Sequence, residues 1–187
     1  MDFRLTEEQE MIRRAAAEFA DRELRPHVRQ WDRDAHFPRD AFRRAGELGF
    51  LSVLVPERYG GAGLGYVEYA LVIEEISKVD PAVGLSVAAH NSLCTGHILS
   101  YGTEEQKQRY LPKLAKGEWV GAWGLTEPTA GSDAGGTKTT AKRNGDQWVL
   151  NGSKTFTTHA SVGDVAVLMA STDPSKKHHG ISAFVVE

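Results

Sequence analysis

The feature that most limits what this chain can fold into is a change of hydrophobic period near Gly117. Before it, apolar residues recur at helical spacing. After it, short runs rich in Val, Thr, Trp and Phe alternate with turn residues. A period near 3.6 and a period of two belong to different elements, so helices come first and strands follow. The expected fold class is α+β, with an all-α domain over 1–117 and an incomplete β-domain over 118–187.

The helical half carries its own punctuation. Thr6 and Gln9 have capping-box spacing, and Leu5, Ile12, Ala16 and Phe19 follow on one face. Pro38 stands where a helix begins, with Ala41, Phe42, Ala45 and Leu48 on one stripe that stops near Gly49. A loop through Pro56 and Gly60-Gly61-Ala62-Gly63 precedes a helix predicted over Tyr66–Val79, ended by Asp80-Pro81. Ala82–Leu99 is almost uncharged, as a helix buried on most sides should be. Thr103 and Gln106 open a last helix running through Tyr110 towards Leu114.

In the second half, Lys138–Lys142 and Gln147–Leu150 flank Asn144-Gly145-Asp146, a strong hairpin signal. Further strands are expected at Ser153–Thr158, Val165–Ser171 and Ile181–Val186, paired antiparallel. A strand ending at Glu187 would leave an open edge, so the sequence is expected to be part of a longer one.

Composition removes several functions. Lys and Arg number 22 against 25 Asp and Glu, with no basic block for nucleic acid and no acidic tail. The one cysteine, Cys94, lies in an apolar stretch and reads as a small buried hydrophobe. Met1-Asp2-Phe3-Arg4 lacks a signal-peptide pattern, and no apolar run approaches the ~20 residues that span a bilayer. A cytoplasmic protein without membrane insertion is expected.

Of the usual catalytic constellations, few survive inspection. Gly60–Gly65 lacks dinucleotide-binding spacing and context. His178-His179 sits in a polar stretch and reads as solvated loop, so no metal site is expected. No nucleophile elbow surrounds Ser132-Asp133. The informative segment is Ala122–Asp133, which begins as a strand and becomes a loop dense in small and hydroxylic residues. Such a loop suits a phosphate or a polar heterocycle edge. A plain structural turn at Pro128 and Gly131 fits it equally well.

This segment resembles the flavin signature of the acyl-CoA dehydrogenases: an aromatic (Trp123), two residues, then Thr126-Glu127-Pro128, two residues, and Gly131-Ser132-Asp133. Leu150–Thr158 is similar to a second family pattern, N-G-x-K-x-[WF]-[IT]-[TS]. Weaker likenesses at Leu5–Gln9, Val55–Gly61 and Tyr101–Lys107 keep the family's order along the whole chain.

The resemblance implies an N-terminal helical domain, a small β-barrel and a C-terminal four-helix domain, the last absent from this sequence, usually in a homotetramer. It implies FAD as cofactor and Trp123, Leu125, Thr126, Gly131, Ser132, Phe156, Thr157 and Thr158 as its binding residues. Leu125 and Thr126 would meet the pyrimidine end of the ring. Gly131 and Ser132 would lie near the pyrophosphate, Ser132 also bordering the acyl-CoA site. Phe156, Thr157 and Thr158 would flank the ring, with Thr158 near N5. Phe156 stands where many members have Trp, and Thr129 where Gly is frequent.

The implied reaction is α,β-dehydrogenation of an acyl-CoA thioester, with electron-transfer flavoprotein as acceptor. No catalytic residue is assigned, because the family's base comes from the C-terminal domain and Glu127 reads as structural. Ala170–Asp173 and Gly180–Val185 look most like short-chain members. A flavin oxidase or monooxygenase of the same superfamily, and a non-catalytic interaction module, are the competing readings.

Overall fold

The computed structural model describes residues 4–187, so the reading at Met1-Asp2-Phe3 lies outside the described residues. The described chain forms two compact units, one up to Val120 and one from Gly121 to Glu187.

The first unit is helical. Its helices are α1 (Glu7–Phe19), α2 (Val28–Asp34), α3 (Arg39–Glu47), α4 (Tyr66–Val79), α5 (Pro81–Ala89), α6 (Gly96–Tyr101) and α7 (Glu104–Ala115). Both capping boxes form: Thr6 accepts from Gln9 N and Thr103 from Gln106 N, each at 3.2 Å, and each Gln returns the bond. At α4 the Glu68 carboxylate alone does the work, accepting from Gly65 N at 2.9 Å.

The buried stripe of α3 comprises Ala41, Phe42 and Ala45, but Leu48 is 55% exposed. The helix has already ended at Glu47, so Leu48 leaves the stripe. The uncharged stretch expected as one helix is three pieces. Between α5 and α6, His90–Thr95 widens into π-type turns. A similar widening at Ala20–Leu24 and the short α2 carry no strong periodic signal and were not foreseen.

Polar pins hold the connection after α3. Asn91, on the widened segment, accepts from Val53 N at 3.1 Å and donates to Phe50 O at 2.8 Å and Val87 O at 3.0 Å. The buried His90 ring donates from Nε2 to Leu114 O at 3.0 Å and stands edge-on to Phe42 at 5.2 Å. Cys94 is fully buried and forms no disulfide. No described helix is long and apolar enough to cross a membrane.

The second unit is one five-stranded sheet: β1 (Gly121–Gly124), β2 (Thr140–Asn144), β3 (Gln147–Asn151), β4 (Val165–Ser171) and β5 (Ile181–Val186). Strands β2 and β3 form the hairpin around Asn144-Gly145, and β4 and β5 pair antiparallel. The segregation into helices and then strands holds, but the sheet is mixed rather than antiparallel throughout. Strand β1 pairs parallel with β4, Gly121 opposite Val165 to Gly124 opposite Leu168, and β2 meets β4 parallel at Thr140 and Ser171. A parallel pair needs a long return connection, and residues 125–164 supply it. No closed barrel forms among the described residues.

Ser153–Thr158, expected as a strand, is irregular. Phe156 has φ +55°, incompatible with the pleat, and Lys154 turns inward away from any ladder.

Phe42 is 1% exposed and contacts both Phe37 and His90. Truncating it in Phe42→Ala should destabilise the helical unit by about 3–5 kcal/mol, read from chemical denaturation followed by circular dichroism. A loss below about 1 kcal/mol would show that this core site collapses freely.

Candidate functional site

The site begins where β1 runs out. Gly124 is the last strand residue, and a Cβ there would lie 2.6 Å from Leu168 Cδ2 and 3.2 Å from Lys154 Cγ. Glycine is therefore what lets the Lys154 stem cross the strand end. Leu125 and Thr126 follow, both half-buried. Glu127 and Ala130 then exchange backbone bonds of 2.9 and 3.1 Å, closing a tight turn over Pro128 and Thr129. A turn is one of the two readings open for this segment, and it closes over Pro128 and Thr129, before Gly131.

Glu127 points inward and is only 5% exposed. Its carboxylate accepts from Lys138 N at 2.7 Å, Thr139 N at 3.0 Å and Lys154 Nζ at 2.8 Å. Lys154 Nζ also donates to Leu125 O at 3.1 Å. Burial alone would push the Glu127 carboxyl up. The bonds from Lys154, Thr139 and Lys138 outweigh it and hold the group down at about 2. An ionised carboxylate already saturated by two amides and an ammonium has little capacity to take a proton as a general base.

The second motif lies against the first. Thr155 N donates to Thr126 O at 2.8 Å, so Leu125-Thr126 and Thr155–Thr158 form adjoining segments. The hydroxyls of Thr155 and Thr157 are buried without a hydrogen-bond partner among the described residues. Between them Phe156 is 95% exposed at φ +55°. An exposed aromatic held in a sparsely populated backbone conformation, beside unsatisfied hydroxyls, suits a flat ligand with a polar edge.

Beyond Thr158, the buried His159 sits at φ +67° and donates from Nδ1 to Gly121 O at 2.9 Å. Burial lowers its affinity for a second proton, and the Gly121 carbonyl only partly opposes that. A cleft of about 980 Å³ opens here, its walls including Ala122, Leu150, Leu168 and the Phe156–His159 run. That size is within the range of small-molecule sites.

Of the sequence-predicted residues, Phe156, Thr157 and Thr158 line this cleft, whereas Trp123, Leu125, Thr126, Gly131 and Ser132 lie outside its lining. Trp123 is half-buried on β1, and Gly131 and Ser132 are exposed just after the turn. His178 and His179 are exposed neighbours, 4.0 Å between ring centroids. Among the described residues no group of three or more His, Cys, Asp or Glu is placed to hold a metal. Sequence reasoning missed Lys154 and the Thr139 amide. A lysine and a glutamate, each within a small-residue motif, were the available signal for a buried pair.

Residues 6–118 match the family model for the acyl-CoA dehydrogenase N-terminal domain, and residues 122–187 match that for the middle domain. A short-chain-specific acyl-CoA dehydrogenase of Clostridium acetobutylicum is 46% identical over 187 residues, all of this chain and 49% of that protein. A chain in a structure of the electron transferring flavoprotein of Acidaminococcus fermentans superposes at TM-score 0.97 with 49% identity, over 100% of this chain and 49% of that one. A glutaryl-CoA dehydrogenase of Mycobacterium smegmatis in complex with FADH2 gives TM-score 0.91 and 37% identity, over 97% and 46% of the two chains. The chain therefore spans about half the length of the relatives it matches.

The depressed Glu127 carboxyl makes a signed prediction. Its stabilisation is complete above the ordinary carboxylate range near 4.5 and is lost as pH falls towards about 2. At ~1.4 kcal/mol per unit, it contributes at most about 3 kcal/mol at neutral pH. Denaturant unfolding at stepped pH should show this decline, and Glu127→Gln should flatten it. An unchanged slope in the variant would mean that other carboxylates control acid unfolding.

Proposed function

We infer the function from one premise: the chain belongs to the acyl-CoA dehydrogenase family. It is the flavin-holding portion of an enzyme that removes the α-proton and β-hydride of an acyl-CoA thioester. The observation that carries this reading is the meeting of the two motif segments. Thr126 is bonded to Thr155, the Thr157 hydroxyl has no hydrogen-bond partner among the described residues, and Phe156 is exposed. These residues fit FAD, a flat ring with polar edges.

FAD, when bound, supplies the hydride acceptor at N5 of its ring. Leu125 and Thr126 would hold the pyrimidine edge, where fixed donors favour the charge that builds up on reduction. Trp123 would support them from β1. Phe156 would form an apolar wall, as the Trp of other members does, without an indole donor. Thr157 would satisfy its buried hydroxyl on the ligand, and Thr158 would place its hydroxyl near N5. Gly131 and Ser132, exposed beyond the turn, would meet the pyrophosphate, with Ser132 also bordering the acyl-CoA.

Glu127 is not assigned as the base, since its oxygens are committed to Lys138, Thr139 and Lys154. Proton removal next to the thioester therefore falls to a group other than Glu127, and none of the described residues is assigned to it. Short or branched acyl groups are the favoured substrates, in keeping with the short-chain relative. Electron-transfer flavoprotein is the favoured electron acceptor and a homotetramer the favoured assembly.

Two outcomes are expected. With FAD, butyryl-CoA and an artificial electron acceptor, the 187-residue chain should show no turnover above background, because general-base catalysis typically contributes ~10²–10⁴-fold. Turnover comparable to a full-length relative would contradict the assignment, and peroxide release without an acceptor would move the reading to an oxidase. In the FAD-loaded protein, Thr158→Val removes one hydroxyl at nearly constant volume. A hydrogen bond of ~0.5–1.5 kcal/mol corresponds to about 10–30 mV for a two-electron couple. A flavin potential equal to wild type would place Thr158 away from N5.

A further inference from the structure

The two motif segments approach each other through few direct bonds. One backbone bond, Thr155 N to Thr126 O at 2.8 Å, joins the run after β3 to the run after β1. Neither segment is in the sheet at that point. A single exposed or half-buried bond between two irregular segments opens readily. Something else has to fix their register.

Lys154 is placed to do so. It precedes Thr155, belongs to the second motif, and its side chain is only 9% exposed. Its ammonium donates to two groups of the first motif, the Leu125 carbonyl at 3.1 Å and the Glu127 carboxylate at 2.8 Å. Those acceptors lie on either side of Thr126, whose own carbonyl receives the Thr155 amide. The Glu127 carboxylate is also tied to the approach to β2, Oε2 accepting from Lys138 N and Oε1, shared with Lys154, from Thr139 N. Thr139 in turn lies under Gly152, where a Cβ would come within 2.3 Å of its hydroxyl. Three donors from two separate stretches thus converge on one buried carboxylate, and of these three the Lys154 ammonium is the one that carries charge, the other two being backbone amides.

We propose that Lys154 is a positioning residue: through Glu127 and the Leu125 carbonyl it clamps Leu125-Thr126 against Thr155–Thr158, and so holds both walls of the ligand face in register. The functional half of this proposal rests on the flavin-binding reading. The clamp itself does not. A buried ion pair adds little net stability over an apolar pair, but removing one partner strands the other, so such pairs are suited to fixing one arrangement over others.

The test reads the clamp without a ligand first. Amide hydrogen exchange is measured in the wild-type chain and in Lys154→Met. The Thr155 amide should exchange roughly a hundredfold faster in the variant, while Val167 and Ala170 in β4 keep their protection. The same variant should hold FAD roughly tenfold less tightly, and Lys154→Arg, which keeps the charge, should recover most of both. Should Lys154→Met not fold, the double variant Glu127→Gln with Lys154→Met avoids a stranded charge and should still lose Thr155 protection selectively. Unchanged Thr155 exchange in a folded variant overturns the clamp, as does equal acceleration in β4, which would make the pair a general stabiliser. A wild-type chain that binds no FAD overturns the flavin reading alone, because Thr155 exchange still decides the clamp.

Discussion

An ionised carboxylate inside a protein must be fully paired or it destabilises the fold, and Glu127 is the point at which this chain meets that demand. Two backbone amides and one ammonium converge on it, from Lys138, Thr139 and Lys154. Much of the local structure follows. The chain after Asn151 leaves the sheet because Lys154 must reach inward. The turn at Pro128-Thr129 exists because Glu127 bonds Ala130 through its backbone while its side chain points the other way. Gly124 and Gly152 supply the space in which the side chains cross.

The sheet adapts to the same demand. Strands β1 and β4 are parallel neighbours, so the chain must travel from one end of the pair back to the other. The intervening stretch contains both motif segments and the β2–β3 hairpin. Residues on such a connection are held by a few specific bonds instead of by a continuous ladder, and there Phe156 stays exposed and the Thr157 hydroxyl has no hydrogen-bond partner among the described residues. In the helical unit a comparable economy operates at Asn91, whose side chain makes three bonds to backbone and fixes the connection after α3.

Local signals were legible in the sequence where one residue determines them. The capping boxes at Thr6 and Thr103, the Tyr66–Val79 helix, the Asn144-Gly145 hairpin and the last two strands all rest on short-range chemistry. Whatever depended on partners far along the chain was not. Strand direction in β1 and β4 is set by a 40-residue return, and the irregular course of Ser153–Thr158 is set by a carboxylate 27 residues earlier. The widened turns at His90–Thr95 arise within an almost uncharged stretch read as one helix, where periodicity carries no warning. At the site, the pattern of hydroxyls and glycines was visible as a ligand-binding loop or a turn, and the family resemblance chose between them. The roles of Lys154 and His159 were visible in neither.

The central claim is that the segments around Leu125-Thr126 and Thr155–Thr158 make one flavin-facing surface. It is tested most directly by titrating FAD into the isotope-labelled chain and following backbone amides by nuclear magnetic resonance. The account predicts that Leu125, Thr126, Phe156, Thr157 and Thr158 shift together with one saturating dissociation constant, accompanied by Gly131 and Ser132. Saturable shifts confined to other residues, or the two segments titrating separately, would contradict it.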